Sequence, residues 1–166
     1  MTELGPDVVA VGLGGNVGDV RATFVRAREA LAQLGPLRSA PLYRTAPIGP
    51  AQPAFLNSAV SIRIAGATPA ELVATVLELE RLLGRDRAHE ERWGPRTLDL
   101  DVLLWGTRTI RTPELELPHP RFHERRFVLE PLLALYGEDL VVGGRTLGAL
   151  ARGVADQDVE LVAETW

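Results

Sequence analysis

The sequence contains no cysteine. Disulfides and thiol catalysis are thereby excluded, and the composition fits a cytoplasmic chain. It also contains no lysine: all 18 basic residues are arginine. A P-loop needs lysine and is ruled out. Any phosphate grip must come from guanidinium groups, backbone N–H groups or a metal. The net charge of -4 leaves no excess for a broad basic surface, so nucleic acid is not an expected partner. No apolar run reaches the length of a membrane span, and the opening MTELGPD has no charged stretch leading into an apolar one, so neither membrane nor leader is expected. Repeats, low-complexity segments and linkers are missing too. A single domain over 1–166 is expected, as a monomer. Its hydrophobic content of 46% is ordinary for a chain with a real core.

What is present reads as alternating strands and helices. Val8 to Leu13 is a short apolar run, expected to be a central strand. The glycines of Gly12-Leu13-Gly14-Gly15-Asn16-Val17-Gly18-Asp19 are expected to form a tight turn into a helix. Their spacing does not meet a dinucleotide fingerprint. Asp19 is a candidate N-cap, and Val20, Phe24, Ala27, Leu31 and Leu34 recur at helical spacing until Gly35-Pro36. Leu37 to Arg44 and Phe55 to Ile64 read as strands, separated by a Pro/Gly loop. Thr68-Pro69-Ala70-Glu71 is a capping box opening a second helix, with Leu72, Val76, Leu79 and Leu83 as its apolar stripe and Gly84 as its stop. The charged segment 85–92 lacks periodicity and is expected to be a mobile loop. Leu98 to Trp105 is a further strand, followed by a short one near Thr109–Ile110. A helix from about Arg126 to Leu135, a β-like Leu140–Val142 and a short helix capped by Thr146 complete the chain. The order strand, helix, strand, strand, helix, strand points to an α+β fold: a ferredoxin-like antiparallel sheet with helices on one face, plus C-terminal helical and β additions.

The densest chemistry lies in Arg92-Trp93-Gly94-Pro95-Arg96-Thr97-Leu98-Asp99-Leu100-Asp101. On a strand, Leu98, Leu100, Val102 and Leu104 share one face, and Asp99 and Asp101 share the other. Two carboxylates that close raise each other's pKa unless a cation neutralises them. Mg²⁺ prefers carboxylate oxygen and is usually held by one or two carboxylates plus substrate phosphates. The pair therefore reads as a magnesium site, with a solvated strand face as the alternative. Arg85, Arg87, Arg92, Arg96, Arg125 and Arg126 are candidate phosphate donors, with Arg92 and Arg96 favoured because they flank the Gly-Pro turn. Phe55 and Asn57 lie on one strand face. An aromatic beside an amide suits a flat heterocycle, which stacks on the ring while the amide reads an edge. The alternative is a core Phe55 and a turn-capping Asn57. His119, between two prolines, either faces a phosphate or is structural. Trp93 either belongs to the core or closes over a ring.

The run Glu91 to Asp101 resembles the signature of the 6-hydroxymethyl-7,8-dihydropterin pyrophosphokinases, enzymes of folate biosynthesis. The resemblance extends through Gly12–Asn16, Tyr43-Arg44-Thr45, Phe55-Leu56-Asn57, Pro118–Arg121 and Arg125–Leu132. It implies a ferredoxin-like fold and transfer of pyrophosphate from ATP to the pterin hydroxymethyl group, releasing AMP, with two Mg²⁺ per ATP. By resemblance, Asp99 and Asp101 hold both metals. Arg96, Asp99, Asp101 and Arg87 would be catalytic. Phe55 and Phe127 would sandwich the pterin, and Asn57, with Thr45, Pro47 and Ile48, would read its edge. Trp93 and Arg96 would belong to a loop closing over both substrates. Glu80, Arg87, Arg92, Val102, His119 and Arg125 would line the ATP site. The chain departs from the family pattern at Phe55, where a tyrosine is usual, and at Ala88 or His89, Glu114 and Pro120. A non-catalytic ferredoxin-like module that binds a small aromatic ligand is the alternative; it gives the paired carboxylates no task.

Overall fold

A computed structural model describes residues 2–47, 49–85, 88 and 93–166. Ile48, Arg87 and Arg92, three of the expected site residues, lie outside the described residues, as does most of the segment 85–92 expected to be mobile. The central strand β1 (Val8–Gly15) is flanked by β4 (Phe55–Arg63) and β5 (Asp99–Trp105). Outside β4 lie β2 (Leu37–Ser39) and β3 (Leu42–Thr45), and β10 (Glu160–Ala163) closes the edge beyond β3. Every pairing in this six-stranded sheet is antiparallel.

Helix α1 (Val20–Leu31) begins where Asp19 accepts the Ala22 N–H at 3.1 Å. Helix α2 (Pro69–Leu82) begins at the capping box of Thr68 and Glu71, with both reciprocal bonds made. Such caps satisfy donors that a helix cannot satisfy internally, each worth about 1 kcal/mol. Val20, Phe24, Ala27 and Leu31 of α1 and Leu72 and Val76 of α2 then bury against Val9, Val11, Val60, Ile62, Leu100 and Val102 of the sheet. This is the helix-covered face that the sequence pattern implies.

The C-terminal additions pack on the opposite face. Helix α3 (Arg126–Tyr136) and helix α4 (Leu147–Arg152) bury Leu129, Leu132, Leu147 and Leu150 against Ala10, Leu103 and Leu104. Between α2 and α4 the chain also forms two small hairpins, β6 (Ile110–Arg111) with β7 (Glu116–Leu117) and β8 (Val141–Val142) with β9 (Arg145–Thr146). Helices therefore cover one face fully and the other in part, leaving one end of the second face open.

Three local expectations change. The glycines Gly12, Gly14 and Gly15 lie inside β1, and the turn falls later, where Gly18 takes φ +76°. The long second strand is broken at Ala40-Pro41 into β2 and β3. Leu104 leaves the face of Leu98, Leu100 and Val102: Val11 faces Val102 but Ala10 faces Leu104, so Leu103 is an extra residue on β5. A one-residue bulge reverses the alternation beyond it. Strand β10 had no counterpart among the expected elements, since most of its residues are exposed and no alternation marks it.

The last residue secures the edge. Trp166 is 8% exposed; its indole N–H donates to the Ala40 carbonyl at 2.7 Å, and its ring meets Phe24 edge-on and the Arg28 guanidinium at 4.5 Å. Trp166→Ala should cost about 3–5 kcal/mol, since it leaves a cavity and removes the indole hydrogen bond to the Ala40 carbonyl. Calorimetric melting should fall on the order of 10 °C; a change under about 2 °C would show that this clamp contributes little.

Candidate active site

The open part of the second sheet face forms a cleft with about 920 Å³ of empty space, open solvent included. Its floor follows from strand register. Asn57 of β4 faces Gly14 of β1, and Gly14 faces Asp99 of β5. One step further, Ala59 faces Gly12, and Gly12 faces Asp101. Side chains paired across strands share a face, so the amide and the two carboxylates project on the same side. The glycines between them carry nothing into the space. A Cβ at Gly14 would lie 3.5 Å from Asn57 Oδ1, and one at Gly12 would lie 3.2 Å from Leu103. Gly12 and Gly14, expected to form a tight turn, are the bare floor of a cleft.

One wall is apolar and suits a ring. Phe55, Phe127, Val128, Leu103 and Leu13 line it, with Thr45 and Ala46 from the end of β3. Asn57 is 5% exposed and donates from Nδ2 to the Thr45 hydroxyl at 2.8 Å. That bond fixes the amide and directs its carbonyl Oδ1 as an acceptor, while the Thr45 O–H remains a donor. A flat heterocycle with donor and acceptor groups on one edge meets complementary partners here.

The other wall is charged. Asp99, Asp101, Arg96 and Arg125 line it. Arg85 donates to Asp99 Oδ1 at 2.8 Å and to Glu80 Oε1 at 3.1 Å, and Arg96 reaches Asp99 Oδ2 at 3.5 Å. Glu80 is 1% exposed and also accepts the Leu100 N–H at 2.7 Å, which ties α2 to β5. Among the described residues no guanidinium forms an ion pair with Asp101. Burial, then the charges of Asp99 and Glu80, push its carboxyl up to about 7, against the pull of Arg125 and Arg85. Burial and the neighbouring carboxylates thus disfavour the charged form of Asp101. A divalent cation would correct this, and two carboxylates with room for phosphate and water suit Mg²⁺. Among the described residues no three metal-ligating side chains cluster, so a closed protein cage is not formed. Arg96 Nε is buried with no partner among the described residues, a donor left for an anion.

His119 sits beside the charged wall but does not line the cleft. Its backbone N–H donates to Leu103 O at 2.9 Å, and its Nδ1 accepts the Arg121 N–H at 3.2 Å. Burial and then Arg125 hold its pKa below the usual histidine value. The imidazole is therefore neutral with its proton on Nε2, a donor and not a cation.

The structure brings Thr45, Phe55, Asn57, Trp93, Arg96, Asp99, Asp101, Arg125 and Phe127 into one cleft. Pro47, Glu80, Val102 and His119 do not line it. Val102 is buried beneath the helices, because it alternates with Asp101 on β5, and Glu80 acts from behind the wall through Arg85. Arg126, a candidate phosphate donor, instead pairs with Glu130 at 3.0 Å and donates to the Gln157 carbonyl at 2.6 Å. Arg85, the first arginine of the charged segment, turns inward as a buried pairing group. The sequence reading gave Gly12, Gly14 and Asn16 no role. The small residues across from Asp99 and Asp101 were a usable signal, but only once the register was known.

Comparison with known proteins agrees with this geometry. The family model "7,8-dihydro-6-hydroxymethylpterin-pyrophosphokinase" matches residues 10–137. A 2-amino-4-hydroxy-6-hydroxymethyldihydropteridine pyrophosphokinase of Bacillus subtilis is 43% identical over 131 residues, covering 76% of each chain. One from Synechocystis is 42% identical over 125 residues, covering 74% of this chain and 63% of the relative. The fold resembles Plasmodium falciparum HPPK-DHPS solved with pteroate, at TM-score 0.70 and 12% identity, covering 93% of this chain and 45% of that one. The chain thus spans under two thirds of the Synechocystis relative and under half of the Plasmodium protein.

The raised Asp101 carboxyl has a consequence for stability. The folded chain keeps this proton up to about pH 7, whereas an unfolded chain releases it near pH 3.9. Stability therefore falls as pH rises through that window, by at most about 4 kcal/mol. Without divalent cations, Asp101→Asn should melt above the wild type at about pH 8, and the two should converge at about pH 4. Identical melting at both pH values would show that Asp101 carries no uncompensated charge.

Proposed function

The chain belongs to the 7,8-dihydro-6-hydroxymethylpterin-pyrophosphokinase family, and from that premise we propose that it transfers pyrophosphate from ATP to 6-hydroxymethyl-7,8-dihydropterin. The observation that carries this reading is the single cleft in which a ring-binding wall meets a carboxylate and arginine wall. The pterin ring lies between Phe55 and Phe127, with its edge on Asn57 and Thr45. Its hydroxymethyl group then points along the floor toward Asp101. The hydroxymethyl oxygen attacks the β-phosphorus, the bond between that phosphorus and the oxygen bridging to the α-phosphate breaks, and AMP leaves. A loose phosphoryl transition state asks for positioning and charge neutralisation more than for a strong base.

Each charged residue then has a task. Arg96 and Arg125 place planar donors where charge grows on the transferred group. His119 offers a neutral donor from the adjacent segment, and Glu80 holds Arg85, which in turn fixes Asp99. Asp99 and Asp101 would hold Mg²⁺, two ions per ATP, which when bound neutralises phosphate oxygens. Arg87 and Arg92 would add phosphate contacts. The product serves folate synthesis. Loading a cation at Asp101 would require that proton to leave, so it would be favoured as pH rises. A ring-binding module without catalysis would leave this charged wall without use.

An AMP-release assay tests the reading. AMP should appear only when ATP, Mg²⁺ and the hydroxymethyl pterin are all present. Asp99→Ala and Asp101→Ala should each lower kcat by at least about a hundredfold in folded protein, and Arg96→Ala by roughly a hundredfold with little change in melting temperature. Phosphate release without pterin would indicate a phosphohydrolase instead. Ring binding indifferent to ATP and Mg²⁺, with no AMP, would indicate the binding module.

A further inference from the structure

Helix α3 receives no side-chain cap from Arg125, the residue that opens it. A glutamine from the C-terminal additions supplies one. Gln157 Oε1 accepts the Arg126 N–H at 2.9 Å, and Gln157 Nε2 donates to the Glu124 carbonyl at 2.8 Å. One amide thus holds the peptide groups on both sides of Arg125. The Arg125 carbonyl is engaged as well, accepting the Val128 and Leu129 N–H groups at 3.0 and 3.1 Å. The clasp is returned by Arg126, whose Nη1 donates to the Gln157 carbonyl at 2.6 Å and whose Nε pairs with Glu130 at 3.0 Å. Gln157 is itself tied to the core. Its N–H donates to the carbonyl of Val154, which is buried with Leu129, Leu132, Leu147 and Leu150 of α3 and α4.

The residue held in this way belongs to the cleft. Arg125 lines the charged wall, and its guanidinium stands 5.7 Å from the centre of the Phe127 ring. Fixing the peptide planes before and after Arg125 fixes its φ of -126° and ψ of 108°, and so the direction in which its side chain leaves the backbone. We infer that Gln157 is a positioning residue for the transfer, aiming the Arg125 guanidinium into the cleft from outside it. The inference rests on the reading of Arg125 as a donor to the transferred group. The chemistry of the position is narrow, because it calls for a donor and an acceptor on one planar group. Glutamate keeps the acceptor at the helix start, where negative charge is favourable, but sets an oxygen against the Glu124 carbonyl. Alanine gives up both bonds.

Steady-state AMP release from ATP, Mg²⁺ and the hydroxymethyl pterin separates aiming from mere helix capping. Gln157→Ala should lower kcat about tenfold while each KM changes by less than about threefold, the pattern of an interaction made in the transition state. Gln157→Glu keeps the cap, so its melting temperature should stay near that of the wild type, yet its kcat should fall as in Gln157→Ala. In an Arg125→Ala background, Gln157→Ala should lower kcat by less than about a further twofold, because the amide acts through that guanidinium. Gln157→Glu in both backgrounds carries the same comparison should the alanine chain not fold. A Gln157→Glu chain with wild-type kcat, or a full tenfold loss on top of Arg125→Ala, would overturn the inference and leave the amide a helix cap only. A wild type that releases no AMP, or an Arg125→Ala chain with undiminished kcat, would instead remove the reading of Arg125, and this inference with it.

Discussion

Arg85 stands between two carboxylates, and the charged half of the cleft is arranged around it. Its Nη1 serves Glu80 from α2 and Asp99 from β5, with 4% of the side chain exposed. Taking three charges out of water is expensive and is offset only where geometry and further hydrogen bonds are good. Glu80 meets that condition by also accepting the Leu100 N–H. Removing one member would strand the others, at about 3–5 kcal/mol. The gain is positional. A helix on one face of the sheet fixes the rotamer of a carboxylate on the other face, so Asp99 is ordered before any ligand arrives. Asp101, two residues along, has no such partner among the described residues, and burial with the neighbouring carboxylates holds its carboxyl pKa up.

The cleft itself exists because of what the sheet omits. Gly14 sits between Asn57 and Asp99, Gly12 sits between Ala59 and Asp101, and neither adds a side chain to the floor. Helices α3 and α4 cover the rest of this face but stop short of the glycines. The Leu103 bulge gives those helices two successive leucines, Leu103 and Leu104, to pack against, while Asp99 and Asp101 stay in phase with the floor. Under the proposed transfer, two substrates laid along this rigid floor would meet with little orientational freedom, and such pre-alignment can supply several kcal/mol of a transfer barrier. At the rim, the Asn16 amide donates to Gln52 Oε1 and the Pro53 carbonyl and accepts the Arg96 N–H, tying together the segments that carry them.

Much of this could be read directly from the chain. Capping at Asp19 and Thr68 follows from side-chain oxygens placed three residues before an orphan N–H. The helical stripes and the alternation of Leu98, Leu100 and Val102 against Asp99 and Asp101 are periodicities of two or three to four residues. The absence of lysine leaves guanidinium groups, backbone N–H groups or a metal as the means of gripping a phosphate. The pairing of Phe55 with Asn57 on one strand face, and of the two aspartates on another, needed nothing beyond strand geometry. What failed was also local in origin: a glycine run has no periodicity, so it read as a turn, and the exposed β10 had no apolar pattern to mark it.

Tertiary structure decided how those pieces meet. Strand register put Asn57, Gly14 and Asp99 in one row, although they are separated by dozens of residues in the chain. Burial turned Arg85 inward toward Glu80, while Arg126, an equally plausible donor by sequence, was consumed by Glu130 and Gln157. The sequence by itself determined residue chemistry, helix ends and which side chains share a strand face, because each depends on neighbours within one turn or one pleat. The shared cleft, the raised Asp101 carboxyl and the hydrogen bonds of the Asn16 amide came only with the fold, because register and burial are set by contacts between residues far apart in the chain.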